Sequence, residues 1–311
     1  AKKQASGGIL LNAALGFLGH AAGPLVRIWL LKVKKGGVKI TSAGRFFLRL
    51  PDGKKRKMFS GPKDVLTTSW AGGNYLVRGP RKFSMVLKEP PRVAGMDGHP
   101  LVLLSQTEKQ SGVPGPGPYN RYRGVLEVRI NEKKNGLWSI NELRTEDYLR
   151  GLGETTDAGP TEYQKALATA ARTYVLYHFS NGGRQPHNGF TIRNTANDQL
   201  YAGFDYEKRV PDFVAQVRAT KGVVATYEEK PIAALYFSRS DGQTRGGEEV
   251  WRSKRFPYLQ AKKDPHGGTR LVGHGTGMSA LGAVGFARKE DWSFRKILAY
   301  YYTGIKLERG Y

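Results

Sequence analysis

The chain contains no cysteine. Disulfide staples, thiol nucleophiles and every metal site built on thiolates are thereby excluded. Acidic residues are scarce as well. There are 26 Asp and Glu against 50 Lys and Arg, and the formal charge of +24 calls for a polyanionic neighbourhood: nucleic acid, an anionic membrane surface or an acidic cell wall. No zinc-finger, RRM, KH or basic-zipper pattern is present, and the cations are spread along the chain. No specific nucleic-acid partner is therefore expected, and the basic surface reads as nonspecific attraction to an anionic membrane or wall. Long apolar runs are also missing. Residues 1–22, AKKQASGGILLNAALGFLGHAA, combine two lysines, an apolar stretch and a small-residue end, the pattern of a signal-peptide-like leader. A short buried helix is the competing reading, because Asn12 and His20 interrupt the run and it is too short to span a bilayer. A leader implies an exported protein of the cell envelope or wall.

What is present is a globular composition: 311 residues, 39% hydrophobic, with 40 glycines to make turns. From Pro24 to about Gln110 short apolar runs at 25–32, 38–42, 45–50, 74–79, 83–88 and 101–104 alternate with turn signals such as Gly36-Gly37 and Pro90-Pro91, which predicts mostly antiparallel strands. The basic turn at 53–57 reads as a solvated hairpin tip. SGVPGPGP at 111–118 cannot continue a strand or a helix and is expected to be a linker or an exposed loop. A hairpin follows, from YRGVLEVRI at 122–130 and LWSI at 137–140 around Asn135-Gly136. Thr145 is expected to cap a short helix with Glu146 and Asp147 in its first turn, where the helix dipole favours negative charge. The expected fold class is α+β, with a β-rich region over 23–118 and a mixed α/β catalytic region over 119–311 around one central helix.

That helix is the most regular signal in the sequence. Tyr163, Ala166, Leu167, Ala170, Ala171, Tyr174, Val175 and His178 follow the spacing of a single buried stripe, from Pro160 at the first helical position to a stop at Gly182-Gly183. Just before it stands Glu154, a carboxylate on an irregular segment braced by a rigid element. Such a group is a candidate for acid-base chemistry, and the local pattern equally fits a solvated surface acid. Further on, 212–237 predicts a helix, a turn at Gly222 and two strands. The loop SRSDGQTRGGEEVW at 238–251 is dense in hydroxyls, with two arginines. It suits a polar ligand such as a sugar, or a flexible surface loop. GHGTGMSALGA at 273–283 places three glycines before a helix expected near Ser279, where backbone N–H groups could cradle an anion. The segment 291–304 predicts an amphipathic helix with Phe294, Ile297, Leu298 and Tyr301 on its inner side.

Taken together these pieces resemble the stage II sporulation protein D family, which includes the amidase-enhancer proteins of bacterial cell walls. The matching residues are YRG at 122–124, EDYLRGLGE at 146–154, AARTY at 170–174, QLYAG at 199–203, TKG at 220–222, PIAALYFSRSDGQT at 231–244, PYL at 257–259, GHGTGMSALGA and ILAYYYTG at 297–304. The resemblance implies a peptidoglycan lytic transglycosylase acting on glycan strands stripped of their stem peptides, with Glu154 as the catalytic acid. Within the same motifs it nominates Arg172, Tyr174, Tyr201, Ser238, Ser240, Thr244, His274 and Ser279 as substrate-binding residues. It implies peptidoglycan strands and a cell-wall amidase as partners, with a non-catalytic, amidase-enhancing glycan binder as the alternative function. Some members bind zinc through a His and two Cys just before the QLYAG match. Here Asp198 holds that place, so neither metal nor any other cofactor is expected. The segment after Glu154, TTDAGP, also departs from the family's sequence.

Overall fold

The computed structural model describes residues 21–50, 56–184, 188–252 and 255–311. The leader-like segment therefore lies outside the described residues except for 21 and 22, as does most of the basic turn at 53–57. The chain forms two compact units, one of Leu25–Glu154 with Gly182–Arg209, the other chiefly of Thr155–Asn181 and Val210–Tyr311.

The first unit is built from two sheets. In the seven-stranded sheet the order is Ile192–Arg193, Leu25–Val33, Leu137–Arg144, Val125–Ile130, Arg92–Gly95, Arg45–Arg49 and Arg56–Ser60. All pairings are antiparallel except that of Ile192–Arg193, which runs parallel to Leu25–Val33. Alternation decides which side faces in: Val26, Ile28 and Leu30 are buried, while Arg27 sits on the opposite face. There Arg27 lies across from Glu142 in register, and Arg92 across from Glu127. The two pairs close into a box. Arg27 donates to Glu142 at 2.6 Å and to Glu127 at 2.7 Å, and Arg92 reaches Glu127 at 3.1 Å and also Glu142. Arg129 adds a third cation to Glu127 at 3.0 Å. Around Glu142 burial opposes ionisation, but the Arg92 and Arg27 guanidinium groups outweigh it and hold the carboxyl below its ordinary value of 4.5.

The six-stranded sheet runs Arg121–Tyr122, Leu101–Leu103, Val38–Ser42, Leu66–Ala71, Asn74–Arg78, Ser84–Leu87. The expected strands at 25–32, 38–42, 45–50, 74–79, 83–88 and 101–104 are thus present, and three more between residues 24 and 110 were not anticipated: Arg56–Ser60, Leu66–Ala71 and Arg92–Gly95. The Pro/Gly run at 111–118 is a loop inside this unit and not a junction. Arg121–Tyr122, beyond it, pairs back with Leu101–Leu103, before it. Sheet pairing across the run overrides its linker-like composition.

The second unit is organised on the helix Thr161–Ser180. Pro160 is its N-cap, with ψ 147° outside the helical region, instead of the first helical residue. Residues Ala166 to Leu176 are all buried, so the helix is enclosed on every side and not along one stripe. Alanines and threonines let neighbours approach all round: the helices Pro211–Ala219, Ala280–Lys289 and Phe294–Tyr301 and the strand Val223–Tyr227 pack against it. The helix at 294–301 buries Ile297, Leu298 and Tyr301, as its periodicity predicts. Strand Val223–Tyr227 is the middle of a three-stranded sheet between Lys230–Pro231 and Lys306–Arg309. No helix among the described residues is long and apolar enough to cross a membrane.

Candidate functional site

Glu154 is half-buried at the end of the segment that follows the short helix Thr145–Arg150. The segment 199–201 holds it in place. Leu200 accepts the Gly153 amide at 2.8 Å and donates its own amide to Glu154 Oε1 at 2.6 Å, so one backbone group of Leu200 holds the carboxylate and the other holds the chain just before it. The segment is itself held from below. Tyr148 donates its hydroxyl to Gln199 Oε1 at 2.9 Å, the Tyr201 amide reaches Asn194 Oδ1 at 2.7 Å, and Leu152 bridges to Tyr201. Asp198 anchors the approach to it. Its buried carboxylate takes Arg184 at 2.7 Å and both the amide and the side chain of Arg193, at 2.9 and 3.1 Å. Three cationic or amide donors on one acid make a charge-assisted clasp of the loop. The sequence singled out Asp198 only as a departure from a metal-binding pattern. Among the described residues no cluster of three or more His, Asp or Glu is arranged to hold a metal ion.

Asp157, the nearest rival acid in sequence, caps a helix. Its two carboxylate oxygens accept the amides of Asp212 and Phe213, both at 3.2 Å, at the start of Pro211–Ala219. Those are N-terminal amides that the helix leaves unpaired.

Several residues nominated as substrate contacts are enclosed in the protein. Arg172 is fully buried, and its guanidinium donates to the carbonyls of Val217 at 3.1 Å and Val223 at 3.2 Å around the C-terminal end of Pro211–Ala219. That placement gives it a supporting role, since a cation there satisfies carbonyls the helix end leaves open. Tyr174 is buried with its ring edge-on to His178. Tyr201 is buried too, its hydroxyl donating to Asn141 Oδ1 at 3.1 Å, and burial pushes the phenol pKa well up.

Ser240 and Thr244 stabilise the 238–251 loop from inside. Ser240 donates to Asp264 at 2.6 Å, Tyr301 donates to the other oxygen of Asp264 at 2.9 Å, and all three are buried. Glycines at 267 and 282 flank the acid because a Cβ at either place would collide with it. Thr244 exchanges bonds with Lys262, accepting its amide on the side chain at 2.9 Å and donating its own amide at 2.8 Å. The loop is thus ordered by polar contacts. Of its two arginines, Arg245 forms a bidentate pair with Asp241, both bonds 2.8 Å, whereas Arg239 has no such acid.

The glycines of the 273–283 stretch serve close approach. Gly277 has φ +80° and a Cβ there would strike the Leu235 carbonyl, because Tyr236–Phe237 runs parallel to Met278–Ser279 at this point. Ser279 is the N-cap of Ala280–Lys289, accepting the Gly282 amide at 3.1 Å, and the Leu281 amide goes to the Ser238 carbonyl at 3.0 Å. These amides are already paired, which removes the anion cradle expected there. His274 is exposed, tilted against Phe237, with Nδ1 accepting the Thr276 amide at 3.2 Å. Loss of hydration where its ring packs lowers the imidazole below its ordinary 6.5, and the Tyr236 backbone only partly offsets this.

Ser238 is the nominated hydroxyl that meets solvent. It lies in a groove of about 420 Å³ together with Tyr163, Arg239, Arg270, Val272, Ala280, Leu281 and Val284. Arg239 and Val272 hold its two edges together through a pair of backbone hydrogen bonds of 3.2 and 2.9 Å. The hydroxyl-rich loop pointed to one edge in the sequence. Arg270 stands apart in sequence from any motif, so nothing local marked it.

Comparison with known proteins was made against this geometry. The family model for stage II sporulation protein (SpoIID) matches residues 133–227, the stretch that contains Glu154 and the segment that holds it. Stage II sporulation protein D of Bacillus amyloliquefaciens is 32% identical over 141 residues, 41% of this chain and 40% of that protein. Its namesake in Bacillus subtilis (strain 168) is 31% identical over 150 residues, 44% of this chain and 43% of that protein. A protein of Bacillus subtilis (strain 168) named amidase enhancer is 37% identical over 103 residues, 33% of this chain and 13% of its own length. The chain therefore spans well under half the length of each of these relatives.

Proposed function

We propose, from the match of residues 133–227 to the stage II sporulation protein family model and from the similarity to stage II sporulation protein D, that the chain works outside the cytoplasm, at the bacterial cell wall, as a lytic transglycosylase. Its substrate is the β-1,4 bond between N-acetylmuramic acid and N-acetylglucosamine in glycan strands without stem peptides. The observation that carries this reading is the placement of Glu154, half-buried, with one oxygen fixed by the Leu200 amide on a doubly hydrogen-bonded segment. A reaction that expels an alkoxide needs a proton delivered to the leaving oxygen, and a fixed, partly desolvated carboxyl suits that task. As the bond breaks, Glu154 gives its proton to the glycosidic oxygen. The resulting carboxylate takes the proton of the muramic C6 hydroxyl as that oxygen attacks C1. The product has a 1,6-anhydro end, the acid is regenerated, and neither water nor a second carboxylate takes part.

The test replaces Glu154 by Gln, which keeps the size and hydrogen-bonding reach of the side chain and removes the transferable proton. Glu154→Gln should lose about 10²-fold or more of the release of 1,6-anhydro ends from denuded strands, counted by mass spectrometry, and should keep binding. Asp157→Asn, run alongside, should cleave at close to the wild-type rate, because Asp157 caps a helix. Wild-type turnover by Glu154→Gln sinks the mechanism. The relative named amidase enhancer favours a second reading, a glycan binder that assists an amidase without cutting glycan itself. Wild type and Glu154→Gln that both bind strands and both leave them uncut would establish that reading.

A further inference from the structure

The groove beside Ser238 has a chemistry that the cleavage reaction does not use. Two guanidinium groups, Arg239 and Arg270, line it, and among the described residues neither has an ion pair or a side-chain hydrogen bond. Other arginines of the same unit are spoken for. Arg245 pairs with Asp241 at 2.8 Å, Arg288 donates to the Ala158 carbonyl at 2.8 Å, and Arg172 is consumed inside the unit. The groove is also lined by aliphatic side chains, Val272, Leu281 and Val284, and Leu281 remains 41% exposed there. Ser238 adds an exposed hydroxyl. A lone surface arginine needs no explanation, since water solvates it well. Two unpaired arginines that share one groove with an exposed leucine differ, because they make a mixed surface in which the leucine offers nothing to an ion alone. The complementary ligand carries a carboxylate for the guanidinium forks, hydroxyls for Ser238 and a methyl-sized apolar group for the aliphatic wall.

We infer that this groove is a subsite for a carboxylate-bearing sugar. On the peptidoglycan reading above, on which this identification rests, the group is the lactyl ether of muramic acid, whose carboxylate is free only when the stem peptide is gone and whose methyl faces Leu281. The subsite then reads the chemical mark of a stripped strand.

The experiment titrates the full chain carrying Glu154→Gln, so that nothing is cut, with a GlcNAc-MurNAc tetrasaccharide bearing free lactyl groups and with a neutral N-acetylglucosamine tetramer. The acidic sugar should bind roughly tenfold more tightly, a preference two partly solvated ion pairs can supply, and the preference should weaken as salt rises. Adding Arg239→Gln and Arg270→Gln should bring the two affinities together with the melting temperature unchanged, and Arg239→Lys with Arg270→Lys should restore part of the difference. A preference that survives the Gln pair overturns the inference, as does inorganic phosphate displacing the acidic sugar at lower concentration than lactate does. The two readings fail separately. Uronate oligosaccharides bound through the arginines while muramyl sugars are ignored would keep the carboxylate subsite and remove the peptidoglycan reading. Loss of the preference with 1,6-anhydro ends still formed by the Glu154-bearing chain would do the reverse.

Discussion

The two units treat their buried charges in opposite ways. In the sheet unit, arginines are drawn onto acids: Arg27, Arg92 and Arg129 surround Glu127 and Glu142, and Arg184 and Arg193 clasp Asp198. In the helical unit the most buried arginine is met by carbonyls, the buried acid Asp264 is met by two hydroxyls, and Arg239 and Arg270 are left facing a groove. Sheets make the first arrangement easy, since register places side chains of neighbouring strands directly opposite one another. Helix ends and glycine-tight loops supply bare carbonyls and narrow spaces, which favour neutral partners. A chain with a large excess of cations can thus commit some of them to its own architecture and present others to a ligand.

Substitutions at four positions break or sharpen this contrast, in order of decreasing effect. Arg172→Ala should be the most damaging, about 3–5 kcal/mol in denaturant unfolding, because it opens a cavity and strands the carbonyls of Val217 and Val223. Near-wild-type stability would mean that the carbonyls find other donors and the unit does not depend on its buried cation. Glu142→Gln should cost less, about 2 kcal/mol, since Arg27 and Arg92 keep Glu127 and are partly solvated.

That variant also has a pH signature. Glu142 ionises below 4.5 in the folded protein, so its stabilisation is complete above the unfolded value of 4.5 and is lost as pH falls through the folded one. Gln does not titrate. Glu142→Gln should therefore lose less stability than wild type on acidification through that window, and parallel losses would remove Glu142 from the acid response. Asp157→Ala should cost about 1 kcal/mol through the lost cap, with Asp157→Asn losing less, because its amide keeps one acceptor oxygen where the carboxylate has two. An equal loss for both would mean that charge, not hydrogen bonding, matters at this helix end. The smallest effect belongs to His274. Its folded-state value lies below 6.5, so the neutral ring is favoured and stability present above 6.5 drains as pH falls from there towards the folded value. His274→Asn should flatten the melting temperature between pH 7 and pH 5; an unchanged slope would assign that window to another group.

Periodicity and turn chemistry reached far into this fold. The central helix, the helix at 294–301, the hairpin around Asn135-Gly136 and most of the strands were legible because each rests on contacts between residues close in sequence. The strand Leu66–Ala71 was not, since its Thr-Thr-Ser centre has no apolar alternation and it is a strand only because Val38–Ser42 and Asn74–Arg78 pair with it. The 111–118 loop misled for a related reason. Proline and glycine report the local backbone, and they are blind to whether the chain on either side returns to the same sheet.

The sequence by itself determined the α+β class, the central helix, the absence of thiol chemistry and the family resemblance carried by motifs in a fixed order. Those depend on composition, on local spacing and on chain order. Only the tertiary structure decided which polar side chains are available to a ligand. Arg172, Ser240 and Thr244 carry the same chemical groups as Arg239 and Ser238, but the first three are consumed by carbonyls, an aspartate and a backbone amide brought in from elsewhere in the chain. The physical reason is that a hydrogen-bonding group has a fixed capacity, and whether that capacity is spent inside the protein depends on neighbours that sequence distance does not reveal.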